Sequence, residues 1–350
     1  VSPGCGGAQG QGGCYAEKTA YRFSGPGMPY EGLVTMGAHG PRWTGKGLFV
    51  PEKLDEPLHV RRPIDGSRHR FFVNSMSDLF FEEFSNEQIA AGFGVMAACP
   101  QHDFLILTKR IRRALDWFAW YEGTSGAGAS PNAAVMQAVQ SVPGSADSSR
   151  HWYERGKDRP WPLPNVWLGV SVEDQKAADE RIPDLLRCPA AIRFISAEPL
   201  LGPLDLRKYL NFGGICECPS DTKKSERCEG KGRKGWIRCN AAGRRLDWII
   251  AGGESGPRSR TCSTAWLETI AKHAAQQLGF GTRPWPVPVF IKQLGANVVV
   301  GSPSVLGGVA LTLKAKKGQR QAEWPESLRV QQYPETRNTT ASPRVEEQHG

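Results

Sequence analysis

Nine cysteines are spread unevenly over the 350 residues, and their spacing separates three kinds of chemistry. Cys5 and Cys14 bracket a glycine-rich stretch near the start of the chain. Two thiolates complete neither a zinc tetrahedron nor an iron–sulfur cluster, so a metal there requires at least one further ligand. Cys216, Cys218, Cys228 and Cys239 follow a C-x-C-x9-C-x10-C pattern within 24 residues rich in Gly and Lys. Such a segment has almost no apolar side chains to bury, and its four thiolates predict a small zinc-stapled knuckle. A flexible loop or redox pairing is the alternative. Cys99, Cys188 and Cys262 stand alone and read as small buried residues.

A second set of candidate groups lies where short apolar runs end. Asn74 and Asp78 close the run at 71–76, Lys109 follows 104–108, and Glu173 follows 166–172. Glu198 follows 192–197, Gly252-Gly253-Glu254-Ser255 ends 248–252, and Lys292 ends 287–292. Carboxylates beside lysines can transfer protons or hold a charged ligand. Gly252, Gly253 and Ser255 can also let backbone amides approach an anion or cofactor. Each residue alone has a plainer reading as a cap, a solvated charge or a salt bridge, and Asp78 and Asp174 stand where helix caps belong. Recurrence over six runs is what predicts a site.

The elements that must position these groups follow from periodicity. The six runs are short and nearly continuously apolar, as strands of a parallel sheet covered on both faces must be. Helical patterns lie between them. Ser85 and Gln88 have capping-box spacing before Ile89, Phe93 and Met96; Ile111, Leu115 and Phe118 form a stripe ending at Gly123. Ser263 can cap a helix carrying Trp266, Ile270 and Ala274 and closing at Gly279. Two stretches of different composition, 122–160 and 213–243, widen the spacing and read as insertions. Without them the repeat falls to a normal βα unit of about 25 residues. The prediction is an α/β chain with a complete or partial TIM-type parallel βα barrel over 1–317, a Cys-rich insertion, and a polar tail at 318–350. A doubly wound open sheet is the alternative, although no GxGxxG follows a strand.

Composition excludes collagen, coiled coil and wholesale disorder, with 39% hydrophobic and 23% charged residues. No apolar run approaches the ~20 residues of a membrane span, so the expectation is a soluble, cytoplasmic protein. The net charge is +9, and residues 215–245 hold nine Lys and Arg against four Asp and Glu, so +5 of it sits in one insertion. That basic insertion, with Lys231, Arg233 and Lys234, can contact nucleic-acid phosphates.

Beyond these readings, SPGC…CYAE, RWTGK…PEKLDEPL, FFVNSMSDLF, VMAACPQHDFLILTKR, VWLGVSVEDQ, RFISAEPLLGPLDL, WIIAGGESGPRSR and VFIKQLG closely resemble a phage- and prophage-encoded family of unknown function. That family carries a three-cysteine motif and is similar to radical S-adenosylmethionine (SAM) enzymes. The resemblance implies a radical-SAM-like partial barrel in which three cysteines hold a [4Fe-4S] cluster, SAM binds the remaining iron, and an electron donor reduces it. Cys5 and Cys14 match the second and third cysteines of the motif, and the first, with a first strand, is expected before Val1. Members usually separate the last two cysteines by about two residues; here eight intervene. The GGES segment is similar to a SAM-contact motif but follows a late strand, so it is not given that role. The resemblance implies work in the cytoplasm of a host cell. A nucleic-acid-binding knuckle on a non-catalytic barrel, and a metal-independent barrel enzyme, are the competing readings.

Overall fold

The computed structural model describes residues 15–54, 56–124, 160–210, 245–256, 259–275, 286–301 and 309–334. In chain order its helices and strands are α1 (Tyr15–Arg22), β1 (Val34–Gly37), β2 (Gly40–Trp43), α2 (Glu56–His59), β3 (Arg70–Val73), α3 (Asn86–Ala98), β4 (Asp103–Thr108) and α4 (Ile111–Thr124). They continue with β5 (Val166–Ser171), α5 (Gln175–Arg187), β6 (Ile192–Ala197), α6 (Arg207–Leu210), β7 (Trp248–Gly252), β8 (Cys262–Ser263), α7 (Thr264–Ala275), β9 (Val289–Gln293), β10 (Val298–Val300) and β11 (Val309–Ala310). The insertion at 213–243 lies outside the described residues, as does all but the ends of the one at 122–160.

Six strands form one all-parallel sheet in the order β3-β4-β5-β6-β7-β9, curled into a half-barrel. The order follows the chain, with no reversal of the kind that marks a doubly wound sheet. The convex face carries Phe104, Ile106, Leu168, Val170, Ile195, Ile249 and Ile291, which join buried residues of α3, α4, α5 and α7 in the main core. The concave face buries a smaller cluster of Leu105, Trp167, Ile192, Phe194 and Trp248. Five of the six strands predicted from sequence are recovered within two residues at either end. The first is shorter, because the chain turns at Asn74 instead of continuing to Met76.

The helix signals are realised as hydrogen bonds. Ser85 Oγ accepts from Gln88 N while Gln88 Oε1 accepts from Ser85 N, the reciprocal box that starts α3. Asp174 caps α5 by accepting from Ala177 N at 2.8 Å. Ser263 Oγ accepts from Ala265 N at 3.1 Å where α7 begins; the end expected at Gly279 lies outside the described residues. Against the sheet, Phe93 stacks on Trp117 with centroids 4.4 Å apart. The three isolated cysteines Cys99, Cys188 and Cys262 are buried and form no disulfide, as expected of small core residues.

Two features were not legible as elements. Residues 34–43 form an antiparallel hairpin whose Val34 and Trp43 pack with Ala20 of α1, Leu33 and Met76. Buried Glu17 fixes α1 to it by accepting from Arg42 Nη1 at 3.0 Å and Trp43 N at 3.4 Å. The second is the segment after Gly318. It runs along the free edge of β9, where Ile291 N donates to Val330 O and Gln332 N donates to Val289 O, both at 2.8 Å. Trp324 and Leu328 are buried there, and Tyr333 turns across the bottom of the concave face onto Trp248 and Phe290. The Arg70 guanidinium of β3 lies 4.1 Å from the Tyr333 ring, so the two outer strands are tied together at the floor.

If this terminal segment completes the core, Trp324→Ala should cost about 3–5 kcal/mol in urea unfolding. A loss near zero would mean that the segment is only draped on the surface.

Candidate active site

Side chains on a strand alternate between faces, so every second residue of each strand enters the concavity. From the amino to the carboxyl end these read Trp167, Gly169, Ser171, Glu173 on β5; Ile192, Phe194, Ser196, Glu198 on β6; and Trp248, Ile250, Gly252, Glu254 on β7. The same step on β4 gives Leu105, Leu107, Lys109, and on β9 Phe290, Lys292. Bulk sits at the bottom, small residues in the middle and charge at the mouth. Gly169 belongs to this taper, since a Cβ there would overlap the Phe194 ring.

Glu173 is the most heavily engaged mouth carboxylate. Lys109 Nζ donates to its Oε1, and Arg181 Nη1 donates to its Oε2 at 2.9 Å and to Ser171 O at 2.8 Å. Lys109 is positioned from the other side by Asp78. That carboxylate, 5% exposed, accepts from Thr108 Oγ1 at 2.8 Å, Phe80 N at 3.0 Å, Lys109 N at 3.1 Å and Arg110 Nη1 at 3.2 Å. Asp78 is therefore no helix cap. It ties the turn after β3 to the end of β4, and a continuous chain Arg110–Asp78–Thr108–Lys109–Glu173–Arg181 results.

Glu198 stands in a different environment. Its single charged partner among the described residues is Lys292 at 3.2 Å, more than half exposed, while the carboxylate itself is largely buried. Burial pushes the Glu198 carboxyl above its ordinary 4.5, with the Lys292 charge and hydrogen bond opposing. Gly252 lies beside it, and a Cβ there would press on the Gln293 carbonyl at 2.9 Å. A mouth carboxylate that holds its proton more tightly than usual is suited to general acid–base work.

The remaining sequence candidates divide. Glu254 is held by Arg260 through Nε to Oε2 at 2.8 Å and Nη2 to Oε1 at 3.0 Å, and these hydrogen bonds hold its carboxyl below the ordinary range. Gly253 N–H donates to Gln293 O at 3.0 Å, and a Cβ there would collide with Leu294 O. Its glycine answers to backbone packing, and its amide already has a partner. Asn74 is half-buried at the start of the turn after β3, and Ser255 is exposed. Cys5, Cys14, Cys216, Cys218, Cys228 and Cys239 lie outside the described residues. Among the described residues no group of three or more His, Cys, Asp or Glu is placed to hold a metal ion. Burial pushes the Cys262 thiol up to about 12, which keeps it protonated at neutral pH. No helix among the described residues is long and apolar enough to cross a membrane.

Sequence reasoning missed the arginines. Arg110, Arg181 and Arg260 each clasp a carboxylate of the mouth. One signal for Arg181 was available: it sits beside Ala178, Ile182 and Leu185, the buried stripe of α5, where a charged residue needs a partner.

Residues 1–331 match the family model described as Protein of unknown function (DUF5131). No curated protein and no solved structure matches the chain.

Two outcomes follow from the geometry. Asp78→Ala leaves Thr108 and the Lys109 amide without their acceptor and should cost about 3–5 kcal/mol in chemical denaturation. A change within error would show that the turn holds itself. For Glu198, a raised folded value means that the folded chain binds the proton more tightly than the unfolded chain, so stability present below pH 4.5 is lost as pH rises through the raised value. Glu198→Gln removes that decline, and the difference between wild-type and variant unfolding free energies should grow in the variant's favour as pH rises above 4.5. A difference independent of pH would contradict the assignment.

Proposed function

The chain belongs to the DUF5131 family, and from the resemblance of its motifs we propose that it is a radical-SAM-like [4Fe-4S] enzyme, phage- or prophage-encoded and cytoplasmic, whose active site is the mouth of the half-barrel. The observation that carries the reading is the gathering of Lys109, Glu173, Arg181, Glu198 and Lys292 at the carboxyl ends of β4, β5, β6 and β9. In parallel barrels the loops at those ends converge on one opening, where substrate and cofactor meet.

The cysteines implied by the resemblance are Cys5, Cys14 and one more. Cys5 and Cys14 lie outside the described residues. In sequence Cys14 is followed by Tyr15, the first residue of α1. That helix packs through its hairpin on Met76, in the turn that follows β3 at the mouth. Such a cluster, when bound, would pass one electron from an external reductant to SAM for its reductive cleavage. The chain's own residues have separate work. Lys109, fixed between Asp78 and Glu173, and Lys292 offer positive charge to a carboxylate or phosphate. Glu198 takes or returns a proton at its carboxylate oxygen, and the aromatic floor keeps water from entering below.

A second reading is favoured by composition alone: the +5 segment with Cys216, Cys218, Cys228 and Cys239 would be a zinc knuckle binding nucleic acid on a non-catalytic barrel. One preparation separates them. The natural full-length protein, purified without oxygen, should contain iron and sulfide and absorb broadly near ~400 nm, and Cys14→Ala should abolish both. Zinc without iron after reconstitution would defeat the radical reading and favour the knuckle. Neither metal would leave a metal-independent barrel enzyme.

A further inference from the structure

Three cations share one turn at the rim of the mouth. Lys314, Lys316 and Lys317 are exposed, and none has an ion-pair partner among the described residues. The turn is pinned in place. Gly318 N donates to Ala315 O at 2.8 Å, while Gly318 O accepts from Leu294 N at 3.0 Å and from Trp324 Nε1 at 2.9 Å. The Glu323 carboxylate faces this turn, but it accepts from the Lys314 and Ala315 backbone amides and pairs with Arg320. Leu294 lies two residues past Lys292, and Gly295 packs on the backbone of Gly253 and Glu254, so the lysine turn borders the mouth.

Inside the concavity the chemistry changes. The floor is filled by Trp167, Phe194, Trp248 and Phe290 and closed by Tyr333 under Arg70. On the same concave face, two residues above Arg70 and two below Asn74, Phe72 is 48% exposed. An open aromatic face in a cup whose floor is closed suits a flat ring that stacks on it. Unpartnered lysines on a rigid rim suit phosphates, whose contact releases condensed counterions.

We propose that the mouth takes a single strand of nucleic acid, its phosphates on Lys292, Lys314, Lys316 and Lys317 and one base turned into the cup against Phe72. This rests on reading the mouth as the reaction site and names its substrate class. A base can enter only when it leaves its stack, which costs least in a single strand.

The test is fluorescence anisotropy of the natural full-length protein with a fluorescein-labelled single strand of about 20 nucleotides, as DNA and as RNA, at several salt concentrations. Wild type should bind with a steep salt dependence. The variant Lys314→Gln/Lys316→Gln/Lys317→Gln should lose about 2 from the slope of log K against log salt, roughly 0.7 for each phosphate contact. Phe72→Ala should weaken binding about tenfold or more with the slope unchanged. Both variants alter exposed positions, and matched thermal unfolding confirms that they fold. An unchanged slope in the lysine variant would overturn the proposal. So would unchanged affinity in Phe72→Ala, or binding that responds only to Lys231, Arg233 and Lys234. Iron content is read on the same samples. Iron-free protein that keeps lysine-dependent binding defeats the radical reading alone, and iron-loaded protein that ignores the strand defeats this inference alone.

Discussion

The period of two along a parallel strand, applied to a sheet that curls, governs the rest of this molecule. Once the strands run the same way and bend around a concavity, each inward ladder has a bottom and a top. On β5 the ladder is Trp167, Gly169, Ser171, Glu173, and on β6 it is Ile192, Phe194, Ser196, Glu198. The bulky members interlock at the floor, where Trp167 meets Trp248 edge to face at 5.7 Å. The small ones leave depth, and the carboxylates arrive together at the mouth. Reversing one strand would carry its carboxylate to the floor, among buried aromatics, where an unpaired charge is costly.

That constraint explains why charge at the mouth comes in clasped pairs. Half-buried carboxylates close to one another repel unless cations stand between them. Glu173 has two such cations, Glu254 has the fork of Arg260, and Glu198 has one exposed lysine and burial. Glu173 and Glu198 share a rung while Glu254 stands one rung higher, and burial raises the Glu198 carboxyl where Arg260 lowers that of Glu254. Glu198 stands apart because it is largely buried while Lys292, its described charged partner, is more than half exposed.

Much of this was legible in the sequence, for local reasons. Unbroken apolar runs marked strands buried on both faces, and Ser85 with Gln88 marked the start of α3. Polar residues just past each run marked the mouth. Asp78 was found as a polar group past the end of a run, with a cap as its plainer reading, but its partners Thr108 and Arg110 are about 30 residues away and nothing local announces them. Arg181, Tyr333 and the hairpin at 34–43 were missed for the same cause. Each is defined by a contact across the fold, and pattern along one segment carries no record of which other segment it meets. Gly253 is the instructive case: a glycine-rich strand end suggests a ligand, and here the missing Cβ makes way for the Leu294 carbonyl.

The account therefore turns on whether the mouth faces a working cluster. Electron paramagnetic resonance of the reduced full-length protein, recorded before and after adding SAM, addresses this most directly. A [4Fe-4S] signal that shifts when SAM is added is the predicted result. A protein with no such signal, or with a signal indifferent to SAM, would contradict it.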